Sequence, residues 1–153
     1  MPVTLTDYHA AIRDAVKTTL LAVLGLDVPI EVVDDPEDAG RLTIPVIALA
    51  CVGPEDRHSE IDTNASDGIG YGVLVALLTA GVTSREQAPG PPDATTFRRL
   101  LHVTFHMKRL TGVSQIGWCE VSDSGPIWDE KKPAFQKLTT AMVVAAVGRF
   151  PRS

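Results

Sequence analysis

Two histidines four residues apart are the side chains of this sequence whose spacing best suits chemistry. They are His102 and His106, in the stretch HVTFH. On a helix, residues four apart share a face, and two imidazoles on one face can supply two ligands to a metal ion. A metal site needs further ligands, and the zinc-protease pattern requires a Glu directly after the first histidine. Val103 occupies that position, so the pair by itself is weak support for a metal centre.

A helical wheel of the same segment separates its apolar side chains from its basic ones. The apolar arc contains Phe97, Leu100, Leu101, Phe105 and Met107. The opposite side carries a basic contact face made of Arg98, Arg99, His102, His106 and Arg109. Three interpretations stay open: a solvated basic surface, a face that binds an acidic partner, or part of a metal site.

Other motifs with known chemistry are missing from the sequence. The stretch DGIGYG precedes a predicted strand, whereas a dinucleotide loop follows one, and there is no GxxxxGK[ST] stretch. There is also no G-x-S-x-G elbow and no C-x-x-C pair. We therefore predict a non-enzymatic protein with no catalytic, cofactor-binding or metal-binding residues and no small-molecule substrate.

Charge is distributed unevenly along the 153 residues. Residues 1–90 hold 14 acidic and 5 basic side chains, a net −9, and residues 91–153 hold 5 acidic and 9 basic ones, a net +4. Unlike charges could meet between copies of the chain. We predict an acidic counterpart to the basic face in one polar loop: Glu55, Asp56, Glu60 and Asp62. The overall net charge of −5 argues against direct nucleic-acid binding.

Composition is that of an ordinary globular protein, with 44% hydrophobic and 22% charged residues. No apolar run has the length needed to cross a bilayer, and no secretory signal is visible at the start, so we predict no membrane association. Cys51 and Cys119 lie far apart in apolar stretches, which is typical of buried free thiols. Trp118 is predicted to be a core or interface anchor.

Periodicity predicts a single α+β domain over residues 1–153, a mainly antiparallel sheet covered by two amphipathic helices. The first helix is expected to be capped by Thr4 or Thr6 and to end at Leu24, and the second covers Ala94–Leu110. A Pro/Gly-rich connector is expected over 80–93. The predicted strands are Val28–Val33, Leu42–Val52, Ile69–Thr79, Gln115–Val121 and Phe135–Phe150, the last chosen over a helix. The polar residues 53–68 fit a loop or a continuing hairpin arm.

In length and segment order, the chain resembles the tail-terminator and head–tail neck proteins of tailed bacteriophages and prophages. The resemblance lies in the opening helix, in VPIEVVDDPEDAGRLTIPVIALACVG and GYGVLVALLTAG, and in a closing strand that ends VVAAVGRFPR. It implies a structural protein that assembles as a ring, typically hexameric, at the end of the tail tube or in the neck. It also implies tail-tube and connector proteins as partners, synthesis in the bacterial cytoplasm and a final place in a virion or phage-like particle.

The resemblance does not separate a terminator from a neighbouring neck component. Two alternatives also stay open. One is a small metal-binding protein or enzyme that uses the HVTFH pair, and the other is a binding or adaptor domain with no connection to phages.

Overall fold

The structure is a computed structural model that describes residues 7–23, 28–63, 66–79, 93–124 and 137–151, without the side chains of 54–57. Its elements in chain order are α1 (Tyr8–Leu21), β1 (Ile30–Val32), a 3-10 helix (Pro36–Arg41), β2 (Val46–Arg57), a second 3-10 helix (Ser59–Ile61), β3 (Ser66–Leu78), α2 (Ala94–Phe105), β4 (Ile116–Asp123) and β5 (Leu138–Pro151). No helix among these described residues is long and apolar enough to span a bilayer.

The strands form one five-stranded sheet in the order β1-β2-β3-β5-β4. β1 runs parallel to β2, and every other neighbouring pair is antiparallel. Both edge strands, β1 and β4, are therefore separated by the full width of the sheet. The predicted α+β class, with a mainly antiparallel sheet and two amphipathic helices packed on it, is confirmed.

The main core lies between the sheet and the two α-helices. Because side chains alternate along a strand, every second residue of β3 faces the helices, beginning with Tyr71 and Val73. The helices contribute these fully buried side chains: Ile12, Val16, Leu20, Phe97, Leu101 and Phe105. Burial of each large apolar side chain stabilises the fold by roughly 2 kcal/mol.

The opposite side of the sheet, which we call the second face, is also apolar. Leu74 and Ala76 of β3 pack there against Ala48 and Ala50 of β2, and Ala39 of the first 3-10 helix covers them. Both faces of β3 are thus buried along much of its length. This explains why the sequence there is a continuous apolar run and not an alternating one.

Several element boundaries in the N-terminal half differ from the prediction. Asp7 and not a threonine caps α1, since its carboxylate accepts a hydrogen bond from the Ala10 N–H at 2.9 Å, and α1 ends at Leu21. Strand β2 begins at Val46, directly after Pro45, because proline has no N–H to give to a ladder. The hairpin-arm interpretation of the loop is correct, because β2 continues to Arg57 and pairs with β3 through an irregularity in register.

The C-terminal half contains one clear confirmation and one clear error. The predicted strand over Phe135–Phe150 is confirmed for its described part, β5. The helix predicted to continue to Leu110 ends at Phe105, and His106 and Met107 have left the helical conformation, with a φ of +59° at Met107. Pairing with β4 outweighs helix propensity here, because the Met107 N–H donates to the Cys119 carbonyl at 2.7 Å. The predicted connector falls outside the described residues except for Asp93.

Candidate functional site

The five residues of the predicted basic face do not form one surface. Arg98 turns inward, where its Nη1 donates to Thr140 Oγ1 at 3.0 Å and its Nη2 to the carboxylate of Asp123, the last residue of β4. Arg99 and His102 are exposed on α2. Arg109 lies beyond the helix, near the first residues of β4. Arg98 therefore lies at the Asp123 end of β4 and Arg109 at the Ile116 end. Because β4 spans eight residues, these two ends are about 20 Å apart.

His106 holds the outer edge of β4. Its Nδ1 accepts a hydrogen bond from the Val121 N–H at 3.1 Å, which places the ring proton of the neutral form on Nε2. The Cys119 N–H donates to the Lys108 carbonyl at 2.9 Å, so residues 106–108 occupy donors and acceptors that an edge strand would otherwise expose. The sequence suggested a ligand or a contact residue, whereas the structure gives this imidazole a place in the sheet.

The two imidazoles of HVTFH remain neighbours, with ring centroids 5.2 Å apart. In the described part of the chain, no group of three or more His, Cys, Asp or Glu side chains is placed to hold a metal ion. His102 and His106 would therefore need ligands from outside that part of the chain.

In the structure, Arg109 lies near Arg149, which the sequence analysis did not identify as a site residue. Arg109 and Arg149 line an open cavity of about 410 Å³ with Trp118, Gln115, Ser114 and Ser66, and we call it the basic groove. Both arginines are exposed. Among the described side chains, no carboxylate lies within ion-pair distance of either guanidinium. The groove therefore presents two cations beside an aromatic wall.

Close contact between β4 and β5 shapes this groove. The Arg149 N–H donates to the Gln115 carbonyl at 3.2 Å. At Gly148, a Cβ would overlap the same carbonyl of Gln115, so only glycine permits this approach. Trp118 is held by a hydrogen bond from its Nε1 to Glu120 Oε1 at 3.2 Å and by the ring of His58, whose centroid is 6.4 Å away.

Two residues of the predicted acidic counterpart, Glu60 and Asp62, lie beside the basic groove in the same chain. Glu60 accepts a hydrogen bond from His58 Nδ1 at 3.1 Å, and Ile61, the next residue, lines the groove. A hydrogen bond from its own backbone N–H, followed by the one from His58, lowers the pKa of Glu60 below its ordinary value. Asp62 accepts the Gly68 N–H at 2.6 Å and so stabilises the hairpin. The side chains of Glu55 and Asp56 lie outside those described.

A second acidic region lies at the opposite edge of the sheet. Strand β1, the first 3-10 helix and the segment between them carry five acidic residues there, and we call this region the acidic edge: Glu31, Asp34, Asp35, Glu37 and Asp38. Two cations belong to the same region, Arg41 and Lys137, and the Lys137 Nζ donates to the Gly40 carbonyl at 2.8 Å. Asp35 also has a structural use, because its carboxylate accepts the Glu37 N–H at 3.0 Å.

Both cysteines are free thiols, as the sequence predicts, but Cys119 is buried whereas Cys51 is half-buried, with its Sγ 3.6 Å from the His9 carbonyl oxygen. Burial raises the pKa of the Cys119 thiol to about 11 and also raises the pKa of Cys51. At neutral pH both thiols are therefore protonated and poorly nucleophilic.

No protein-family model matches this sequence, and no curated protein is similar to it at a significant level. Of the groove residues, the sequence singled out only Arg109 and Trp118. Arg149 is 40 positions further along the chain than Arg109, so only the pairing of β5 with β4 reveals that they are neighbours.

Proposed function

We propose that the chain is a non-enzymatic assembly protein of a tailed bacteriophage or phage-derived particle, a tail terminator or neck component that works as a ring of copies. The basic groove is the observation that carries this proposal. Tryptophan and arginine are the side chains that most often dominate the binding energy of protein interfaces. Here Trp118 and two arginines without a described carboxylate partner line one groove.

The chemistry of the groove fits an acidic protein surface better than a nucleic acid. Nucleic-acid binding needs an extended positive field, whereas this chain has a net charge of −5. A compact carboxylate cluster needs only two well-placed guanidinium groups, each able to hold a carboxylate by two hydrogen bonds.

A ring requires unlike patches on one subunit, because each copy must present a different surface to each neighbour. The basic groove and the acidic edge meet this requirement, since they lie at opposite edges of the sheet. The resemblance to tail-terminator and neck proteins supplies the biological setting. It supports a ring at the end of a tail tube or in the neck, in contact with the tail-tube and connector proteins.

Native mass spectrometry at several salt concentrations tests the self-assembly. We expect a ring at low ionic strength that dissociates as salt rises, because salt screens exposed charges. Under conditions in which the wild type forms a ring, the Arg109→Glu variant should be monomeric. Arg99→Glu is the matched control, because it makes the same charge change at an exposed position on α2 and should leave the ring intact. A wild-type chain that stays monomeric at high concentration and low salt would contradict the proposal.

A second experiment tests the phage setting. The purified chain is mixed with the tail-tube protein encoded near it, and tube lengths are measured by negative-stain electron microscopy. We expect shorter, uniform tubes with a ring at one end. Unchanged tube lengths and bare ends would reject a terminator. A gene neighbourhood without portal, tail-tube or tape-measure genes would reject the phage setting altogether.

A further inference from the structure

We propose that the basic groove of one copy receives the acidic edge of the next copy. This inference rests on the proposed function in one respect, since it needs the chain to assemble with itself. It goes beyond that function by naming both contact surfaces. It also replaces the counterpart expected from the sequence, because Glu60 and Asp62 lie beside their own groove and already hold local hydrogen bonds.

The charges of the two regions are complementary. The acidic edge holds five carboxylates against two cations. The side chains of Glu31 and Asp34 are exposed, and no basic group lies within ion-pair distance of either in the described part of the chain. At the other edge of the sheet, the side chains of Arg109 and Arg149 are also exposed, and no carboxylate among the described side chains lies within ion-pair distance of them. Pairing the two sets would satisfy charges that a single copy leaves to water.

The positions of the two regions favour a head-to-tail contact. Arg149 precedes Phe150, which packs in the helix-side core, so by strand alternation Arg149 points to the second face. Glu31 follows Ile30, another helix-side residue, and points to the second face as well. The two regions thus share a face but lie at opposite edges. When the two edges bind different neighbouring copies, each contact is heterologous and the assembly is a ring or a filament.

The groove can accommodate such a partner. Its volume of about 410 Å³ is open to solvent, and the side chains that define the partner surface project from a three-residue edge strand and the short segment after it. The side-chain amide of Gln115, which also lines the groove, offers a further donor to a carboxylate. Trp118 gives the contact an apolar wall, which charge pairing alone would lack.

Reciprocal charge reversal tests this contact. The groove variant is Arg109→Glu with Arg149→Glu, and the edge variant is Glu31→Lys with Asp34→Lys. The edge positions avoid Asp35, which caps its helix. Each variant alone should lose self-assembly, with the subunit dissociation constant raised about 100-fold at low salt. Mixed in equal amounts, they should form alternating rings, since each supplies the charge that the other needs. The chain with all four changes should assemble alone.

The outcomes separate this inference from the proposed function. If the wild type forms rings and the edge variant does so equally well, the acidic edge is not the occupant and the inference is overturned, while self-assembly stands. If the mixture stays monomeric although circular dichroism shows both variants folded, the inference is also overturned. A monomeric wild type would remove the proposed function itself. Arg99→Glu serves again as the control for a general effect of charge.

Discussion

The arginines near the two ends of β4 differ in their hydrogen-bond partners. At the Asp123 end, Arg98 donates hydrogen bonds to a carboxylate and to a buried threonine hydroxyl of the same chain. At the Ile116 end, Arg109 and Arg149 flank a groove whose described lining contains no carboxylate. All three residues are cationic at any physiological pH. Their difference comes only from what the fold places opposite each of them.

This difference separates arginines that maintain the fold from arginines that are available for a partner. An arginine whose donors are satisfied internally contributes to stability, and moving it to an intermolecular contact would first break those bonds. An arginine that faces water loses only its hydration when it binds a carboxylate. We therefore assign the contact role to the groove and a structural role to Arg98, although the sequence grouped Arg98 with Arg109.

Replacing Gly148 should have the largest effect at the groove end of β4. In Gly148→Ala, the added methyl would overlap the Gln115 carbonyl, and backbone atoms cannot move aside as a flexible side chain can. We expect a loss of about 3 kcal/mol in the free energy of unfolding, typical of overpacking at a rigid contact. Denaturant titration measures it, and self-assembly should weaken because the groove is distorted.

Gly117→Ala is the matched control for this prediction. A Cβ at that position would meet its nearest described atom, the Val147 carbonyl oxygen, at 3.7 Å, which is an ordinary contact. We expect a change within about 0.5 kcal/mol. Equal destabilisation by the two substitutions would show that the β4–β5 contact at Gln115 is not the constraint that shapes the groove.

Most of the fold could be predicted from the pattern of apolar residues. The β-branched residues identified β5 correctly, and the wheel of α2 correctly placed Phe97, Leu101 and Phe105 in the core. The errors lie at element boundaries that long-range contacts determine. The end of α2 depends on hydrogen bonds between residues 106–108 and Cys119, and no local signal before the turn at Gly112 marks that departure from the helix.

The site could be predicted only in part, for a related reason. Arg109 and Trp118 stood out by residue type, but a helical wheel assumes that a helix continues, and the helix ends four residues before Arg109. Arg149 joins them through strand pairing, which a single sequence does not reveal. Four of the five residues of the acidic edge stand together in the stretch DDPED, but their position opposite the groove follows from the order of the strands alone.

Removing the guanidinium group at each end of β4 tests the division of roles directly. Arg98→Met keeps the aliphatic volume but leaves Thr140 without its donor and Asp123 without its cation. Because Asp123 is 75% exposed, water compensates for part of the loss, and we expect about 1.5 kcal/mol of destabilisation. Arg109→Met should leave the free energy of unfolding nearly unchanged and weaken self-assembly. Both values come from denaturant titration combined with native mass spectrometry.

The opposite results for the two substitutions would contradict the roles proposed for Arg98 and Arg109. If Arg109→Met destabilised the monomer and Arg98→Met weakened the ring, the contact surface would be on α2, as the wheel predicted. A third result, in which both substitutions weaken the ring equally, would place the interface along the whole outer edge of β4. Neither result is expected from the hydrogen bonds of Arg98.

The smallest expected effect concerns the two histidines, which lie between those ends. His106→Ala removes the acceptor for the Val121 N–H and should destabilise the fold by about 1 kcal/mol, since that N–H is only partly accessible to water. His102→Ala, at an exposed helix position, should change stability by less than about 0.5 kcal/mol. Loosening of residues 106–108 should also speed alkylation of Cys119, whose raised pKa of about 11 reflects its burial. Equal effects of the two substitutions on both readouts would mean that the pair acts jointly, as a ligand pair would, and would reopen the metal interpretation.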